Sequence, residues 1–352
     1  MLAYRSLVIL VAIAVSIVGT GCSPDEPAPT PKNVEIQPCD QASTTPYTFD
    51  LPAHFPPFIV SNNNLTTVEG VALGRRLYYD DRLSAGGPLR GKSCSSCHPQ
   101  SKSFSNNAPG TSVLPHTNLN WSSYFLWNGE ISGGIEEAMM FEVVDFFQTN
   151  ITLIKADKTY QRMSCEAFGT SDISEREMAN ALAQWMRTLI SHDSKYDRYI
   201  AGIEQLTTQE LRGEEIFNSV GDCFKCHTMP LTTDLMFHNN GIELAPTGKD
   251  MGRFNVTGDP ADMGKFKTPT LRNVALTVPY MHDGRFETLE QVVDHYDSRV
   301  IFSDTLDSVM VVPGNVYTLG LSRNEKEALV AFLKTFTDTT FITNPKFSDP
   351  FK

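Results

Sequence analysis

The sequence predicts an all-α protein built as two domains in tandem. Three observations predict it: a length of 352 residues, a five-residue pattern that occurs twice, and helical stretches placed alike around both copies. At roughly 100–200 residues per domain, the length suits two domains. Charged residues make up 20% of the chain and aromatic residues 10%, a balance that excludes a disordered polymer. The 41 acidic residues outnumber the 29 basic ones, for a formal net charge of −12. That excess argues against a nucleic-acid backbone as partner, and the chain carries no nucleic-acid recognition motif.

The first element is an address rather than a fold. Arg5, an apolar run from Leu7 to Val18 and the small residues after it make residues 1–21 a secretory signal peptide. The run is shorter than the ~20 residues needed to span a bilayer. Gly19-Thr20-Gly21-Cys22 resembles the lipobox of bacterial lipoproteins, although Gly19 stands where leucine is usual. Cys22 is therefore expected to carry lipid and to hold a periplasmic protein at a membrane surface; simple secretion is the alternative. Residues 22–44 then form a tether and N-terminal segment, opened by the Pro- and acid-rich SPDEPAPTPK of Ser23–Lys32. An exported chain is also free to form disulfides.

In the first domain, residues 45–200, the stretch Val71–Tyr79 has apolar side chains at helical spacing and precedes Cys94-Ser95-Ser96-Cys97-His98. Ile173–Leu189 is an amphipathic helix with Met178, Leu182, Trp185 and Leu189 on one side, for which core packing is a sufficient explanation. The second domain, residues 201–352, repeats the arrangement. Leu206–Phe217 reads as a helix, with Thr207 as N-cap and Glu210 three residues on, before Cys223-Phe224-Lys225-Cys226-His227. Leu321-Ser322-Arg323-Asn324-Glu325 opens a closing helix with Leu329, Val330, Phe332 and Leu333 as its apolar stripe. Strand signals are sparse: Val309–Val312 is the one β-branched run, and Pro313-Gly314 ends it at once.

Both repeats of the pattern are C-x-x-C-H, the spacing of a c-type haem site. Two thiols add across the vinyl groups of one porphyrin, and the next residue is carried under the iron, where its imidazole binds. A zinc site would need a second ligand pair nearby and a thioredoxin-type dithiol a βαβ setting; neither is present. The expected cofactors are thus two covalently bound haem c groups, held by Cys94, Cys97 and His98 and by Cys223, Cys226 and His227. A helix before the attachment site and another closing the domain is the outline of a cytochrome c-like unit. Of the seven cysteines, four go to haem and Cys22 to lipid, which leaves Cys39 and Cys165 available for a disulfide.

Longer blocks carry a more specific resemblance. Leu73-Gly74, Leu77-Tyr78-Tyr79-Asp80, Arg82-Leu83-Ser84, Trp127-Asn128-Gly129, Ala167-Phe168-Gly169, Ser194–Tyr199 and above all Thr268–Gly284 (TPTLRNVALTVPYMHDG), in that order with the two haem motifs, resemble the bacterial di-haem cytochrome c peroxidase and MauG superfamily. The resemblance implies a cytochrome-c peroxidase-type oxidoreductase that reduces hydrogen peroxide to water. A small periplasmic donor, a cytochrome c or a cupredoxin, would feed the C-terminal haem over His227, and electrons would pass by Trp127 to the peroxidatic haem over His98. A saturated iron exchanges electrons with little rearrangement, whereas O–O cleavage needs an open coordination position. The same resemblance implies a possible homodimer. Two other readings stand beside it: a MauG-like oxidase that modifies a protein or small substrate, and a non-enzymatic di-haem electron carrier.

Site residues follow from the resemblance position by position. Counting from Pro279 places Tyr296 at the distal ligand position of the relay haem, where the peroxidases have methionine and MauG-like enzymes tyrosine; Met281 competes, with His282 and His295 behind it. The catalytic acid–base glutamate falls on Glu142, with Asp145, Glu137 and Glu136 as alternatives, since counts from either flank disagree. The family's movable histidine ligand has no counterpart in Ser101–Leu114, and His116 is the nearest candidate. Thr277 and Pro279 match positions whose backbone carbonyls hold a calcium ion between domains, a donor type suited to a hard cation.

Overall fold

Helices begin where the sequence places their caps. In the computed structural model, which describes residues 39, 42, 44–58, 60–108, 111–313 and 315–352, the helix Thr208–Asn218 starts behind Thr207, and Thr207 and Glu210 hydrogen-bond each other's backbone N–H. The same reciprocal capping, Ser322 with Glu325 and Ser174 with Glu177, opens Arg323–Lys334 and Glu175–Thr188. Each box satisfies two of the N–H groups that a helix start leaves without partners. The expected signal peptide, Cys22 and most of the tether lie outside the described residues.

Two helix pairs organise two hydrophobic cores. Val68–Tyr79 packs on Glu175–Thr188, and Thr208–Asn218 packs on Arg323–Lys334. A side chain at Gly74 would run into the backbone carbonyl of Ala181, and one at Gly213 into that of Ala328. Each glycine therefore sets how closely its helix pair can approach. The first core buries Leu73, Leu77, Tyr78, Met178, Leu182 and Trp185, and the second Ile216, Phe217, Leu329, Phe332 and Phe336. Burying such side chains contributes ~1.5–3 kcal/mol each. The cores do not follow chain order throughout: Phe341 and Phe347 of the C-terminal segment join the first, and Tyr196 joins the second.

The helical class expected from the sequence is what the chain adopts. Helices dominate, and among the described residues there are also four two-stranded antiparallel ladders: Asn106–Ala108 with Thr111–Val113, Tyr124–Phe125 with Ile131–Ser132, Phe237–His238 with Phe266–Lys267, and Val311–Val312 with Asn315–Val316. Only the last coincides with a β-branched run in the sequence. Strands this short carry no readable alternation, and in Phe237–His238 with Phe266–Lys267 the pairing joins segments far apart in the chain.

A buried ion pair joins two of the blocks quoted above. Arg272 donates to both carboxylate oxygens of Asp197, at 2.7 and 2.8 Å, and to the carbonyl of Pro230. Both side chains are almost fully buried, and the ring of Phe55 lies over the guanidinium at 4.7 Å. The expected disulfide is present, joining Cys39 to Cys165 on the helix Lys158–Phe168 across a sequence separation of 126. Cross-linking so long a loop restricts the unfolded chain. The Cys39→Ser/Cys165→Ser variant is expected to lose about 2–4 kcal/mol of stability, read as a lower denaturation midpoint that added reductant no longer changes.

Candidate haem sites

The sulfurs of the first motif sit on a single helical turn, Cys94–Cys97, and those of the second flank a 3-10 turn, Cys223–Lys225. All four thiols are free. The histidine that follows each pair is oriented by the backbone. His98 Nδ1 lies 2.7 Å from the Phe104 carbonyl, and His227 Nδ1 lies 3.0 Å from that of Thr232. A carbonyl can only accept, so each Nδ1 carries the hydrogen and each Nε2 presents its lone pair. That is the tautomer a metal-bound imidazole requires. Burial also favours the neutral ring, lowering His98 to about 4 and pushing His227 down as well. Paired free thiols and a neutral, correctly oriented imidazole fit haem at both places.

Beside the second motif lies a cavity of about 230 Å³. Its wall includes Cys223, Cys226, His227, Trp127, Met281 and Tyr296. Tyr296 comes from the helix Leu289–Ser298, and Met281 from the loop before it in a left-handed conformation, φ 68°. Both competitors for the distal position thus face one space. They also share a partner: Asn240 Nδ2 donates to Tyr296 Oη at 3.2 Å and to Met281 Sδ at 3.4 Å. The imidazole of His295 donates to the Asn240 carbonyl at 2.9 Å, tying this loop to the Tyr296 helix. Burial raises the Tyr296 phenol to about 12, so without a metal it keeps its proton. Thr277 and Pro279 line the same cavity.

Around the first motif the structure separates the four candidate carboxylates. Glu136 is held by Arg187 and by Asn64 Nδ2 at 2.9 Å, and Glu137 accepts from the Gly134 N–H at 2.8 Å as part of a helix cap. Asp145 is exposed. Glu142 follows the helix Ile135–Phe141 as the first residue of a π-helical turn, Glu142–Phe146. Such turns rotate side chains off the regular helical positions and recur at functional sites. Enclosure raises the Glu142 carboxyl to about 7; burial, with the Glu142 charge added to it, raises the Cys94 and Cys97 thiols. Glu142 is therefore the carboxylate nearest in influence to the first haem motif.

His116 lies on the face of His98, ring centroids 3.5 Å apart and planes 15° from parallel, with Nδ1 3.3 Å from Tyr78 Oη. The nearest candidate for the family's movable ligand is thus packed against the His98 imidazole itself. Trp127 is half-buried, and its indole N–H donates to the Ser112 carbonyl at 3.0 Å. The two residues after it are pinned from the second half of the chain. Arg253 Nη1 donates to the carbonyls of Asn128 and Gly129 at 3.1 and 2.7 Å, between the rings of Tyr124 and Phe237. Two cavity residues, Asn240 and Lys267, escaped the sequence reading. Asn240 lies in no motif, and the burial of Lys267 leaves no trace in its neighbours along the chain.

A helical chain that twice presents two thiols and a neutral, oriented imidazole is a haem-binding redox protein. Residues 68–205 match the family described as di-haem cytochrome c peroxidase, CCP_MauG. The cytochrome-c peroxidase IdrP2 of Denitromonas iodatirespirans is 31% identical over 311 residues, covering 75% of this chain and 80% of that one. The methylamine utilization protein MauG of Methylorubrum extorquens is 33% identical over 303 residues, covering 80% and 82%. A solved MauG-like protein associated with microbial copper homeostasis superposes with a TM-score of 0.77 at 31% identity, covering 87% of this chain and all of that one. The chain belongs to the di-haem cytochrome c peroxidase and MauG family, and it is an oxidoreductase.

Proposed function

We propose that the protein reduces hydrogen peroxide to water, and that each of two tandem cytochrome c-like domains carries one covalent haem. Cys94, Cys97 and His98 would hold the peroxidatic group, and Cys223, Cys226 and His227 the group that receives electrons from a small periplasmic donor. Bound there, the irons supply electron transfer and an open coordination position for peroxide. The overall change consumes two electrons and two protons for each H2O2 and releases two waters. The observation that carries the reading is the Glu142 carboxyl, raised to about 7 by enclosure beside the first motif. A group poised there takes the proton from one peroxide oxygen and returns it to the departing one at neutral pH. His98, held by the Phe104 carbonyl, keeps Nε2 aimed as a ligand. Trp127 lines the second-motif cavity within a segment clamped by Arg253, a placement that supports its role on the path between the two sites. Lipid on Cys22 would keep the protein on the periplasmic face of a membrane, and calcium would bind the carbonyls of Thr277 and Pro279.

The test is steady-state peroxide reduction, with and without prereduction, beside an EPR spectrum of the resting protein. Turnover without prereduction is expected, because His116 stacks on His98 and the segment before Trp127 offers no other histidine. Two low-spin signals, with no high-spin species after one-electron reduction and no turnover, would sink the proposal. A second reading, oxidation of a protein or small substrate as in MauG, goes with ligation by Tyr296 rather than by Met281, which lines the same cavity. Two variants decide the ligand. If the phenol ligates, Tyr296→Phe changes the low-spin spectrum and raises the potential of that haem, while Met281→Leu leaves the spectrum in place; ligation by Met281 reverses the pattern.

A further inference from the structure

The cavity beside the second motif contains a buried cation without a counter-charge. Lys267 is 7% exposed and lines that cavity. Its Nζ donates to Ser122 Oγ at 2.7 Å, and among the described residues no carboxylate lies within 4.0 Å of it. An ammonium carries three donors, so one neutral hydroxyl leaves it poorly answered. The other basic side chains of the wall are matched. His238 lies between Asp234 at 2.8 Å and Asp307 at 2.5 Å, His282 faces Asp250 at 3.0 Å, and His227 is bound to the Thr232 carbonyl. Removing a charge from water without a partner is costly. Consistent with that cost, burial lowers the Lys267 amine to about 8.

We infer that Lys267 is the carboxylate-binding residue of this cavity, and that its ammonium pairs with a propionate of the haem attached at Cys223 and Cys226. The inference rests on the reading that haem occupies this site. Three observations converge on it: the cavity adjoins the attachment cysteines, the ammonium is its one unmatched cation among the described residues, and haem brings two carboxylates on one edge. The backbone of Lys267 adds a positioning function, since its N–H donates to the Trp127 carbonyl at 2.8 Å. A propionate held by Lys267 would thus be fixed to the segment that carries Trp127. Ser122, which lies on the Trp127 side of the chain, anchors the same ammonium. Lys267 therefore locks the haem edge to that segment through charge, hydroxyl and backbone together.

The test is an equilibrium redox titration of the holoprotein between pH 5 and 9, with mass spectrometry of the haem-bearing peptides. Lys267→Gln keeps a donor for Ser122 and removes the charge; Lys267→Arg keeps the charge. In Lys267→Gln the potential of the second-motif haem is expected to fall, because a lost cation favours the ferric state. A pH-dependent span should also appear as the unpaired propionate titrates. Lys267→Arg should keep the wild-type potential and pH profile. If Lys267→Gln titrates like the wild type while both peptides carry haem, the inference is overturned, since a merely structural lysine is replaced adequately by glutamine. A Cys223–Cys226 peptide without haem would instead overturn the underlying reading, so the two failures are distinguishable. Should Lys267→Gln not accumulate, Lys267→Met is titrated in its place and judged by the same potential shift.

Discussion

Glu142→Gln is expected to slow peroxide turnover by about 10²–10⁴-fold while leaving both haems attached and the fold intact. The size follows from the role: general acid–base catalysis by a placed carboxyl contributes roughly that factor, and the amide can neither accept nor return the proton. The alternatives are spoken for, Glu136 by Arg187 and Asn64 and Glu137 by a helix cap, and Asp145 faces solvent. Substituting Glu137 or Asp145 should therefore leave turnover within about twofold, since surface changes away from a site seldom matter. The pH profile supplies a second readout. The accepting form is the carboxylate, and enclosure places its titration at about 7. Wild-type kcat/KM should rise as pH increases through that value, and the variant should lose this limb while its residual rate stays flat. Wild-type turnover in Glu142→Gln removes the assignment.

Asp197→Asn is expected to cost about 3–5 kcal/mol of stability, the largest single effect on the fold. The amide preserves the shape of the carboxylate but leaves the Arg272 guanidinium buried without its counter-charge. Burial pushes the Asp197 carboxyl upward, but hydrogen bonds from Arg272 and Ser194 outweigh it and hold it at about 2. A carboxyl held below its unfolded value stabilises the native state above about pH 4, and that contribution is lost as pH falls toward 2. The acid limb of the stability–pH curve should flatten in the variant. Adding Arg272→Met to Asp197→Asn should recover part of the loss, because two neutral groups replace one stranded charge. Urea titrations of the single and double variants at pH 7 and pH 3 measure all of this. Additive losses would show that the pair is not coupled.

The two predictions differ in how far the sequence leads to them. Asp197 and Arg272 stand in blocks recognisable in the bare sequence, yet nothing in either block says that the two meet; only the folded chain brings them together over a separation of 75. The resemblance puts Glu142 ahead of three other carboxylates along the chain, but counts from its two flanks disagree. What singles it out is a π-helical turn and the enclosure that raises its carboxyl. Neither is legible from composition or spacing, because a π turn is a register change of the backbone rather than a choice of residues. The small β ladders were missed for a related reason: two-residue strands are too short for a periodic signal.

Local chemistry, by contrast, was readable without a structure. Two thiols and an imidazole at fixed spacing are a covalent requirement that adjacent residues meet or fail on their own. The Thr207–Glu210 and Ser322–Glu325 caps depend on groups three residues apart, and the odd cysteine could be counted down to the Cys39–Cys165 bridge. Solvation could not be counted. Tyr296 and Met281 become neighbours through Asn240, His116 is set on the face of His98, and Lys267 loses its water, each through the packing of segments far apart in sequence. Charge and proton affinity follow the surroundings of a side chain rather than its name, and those surroundings exist only after the two cores have closed.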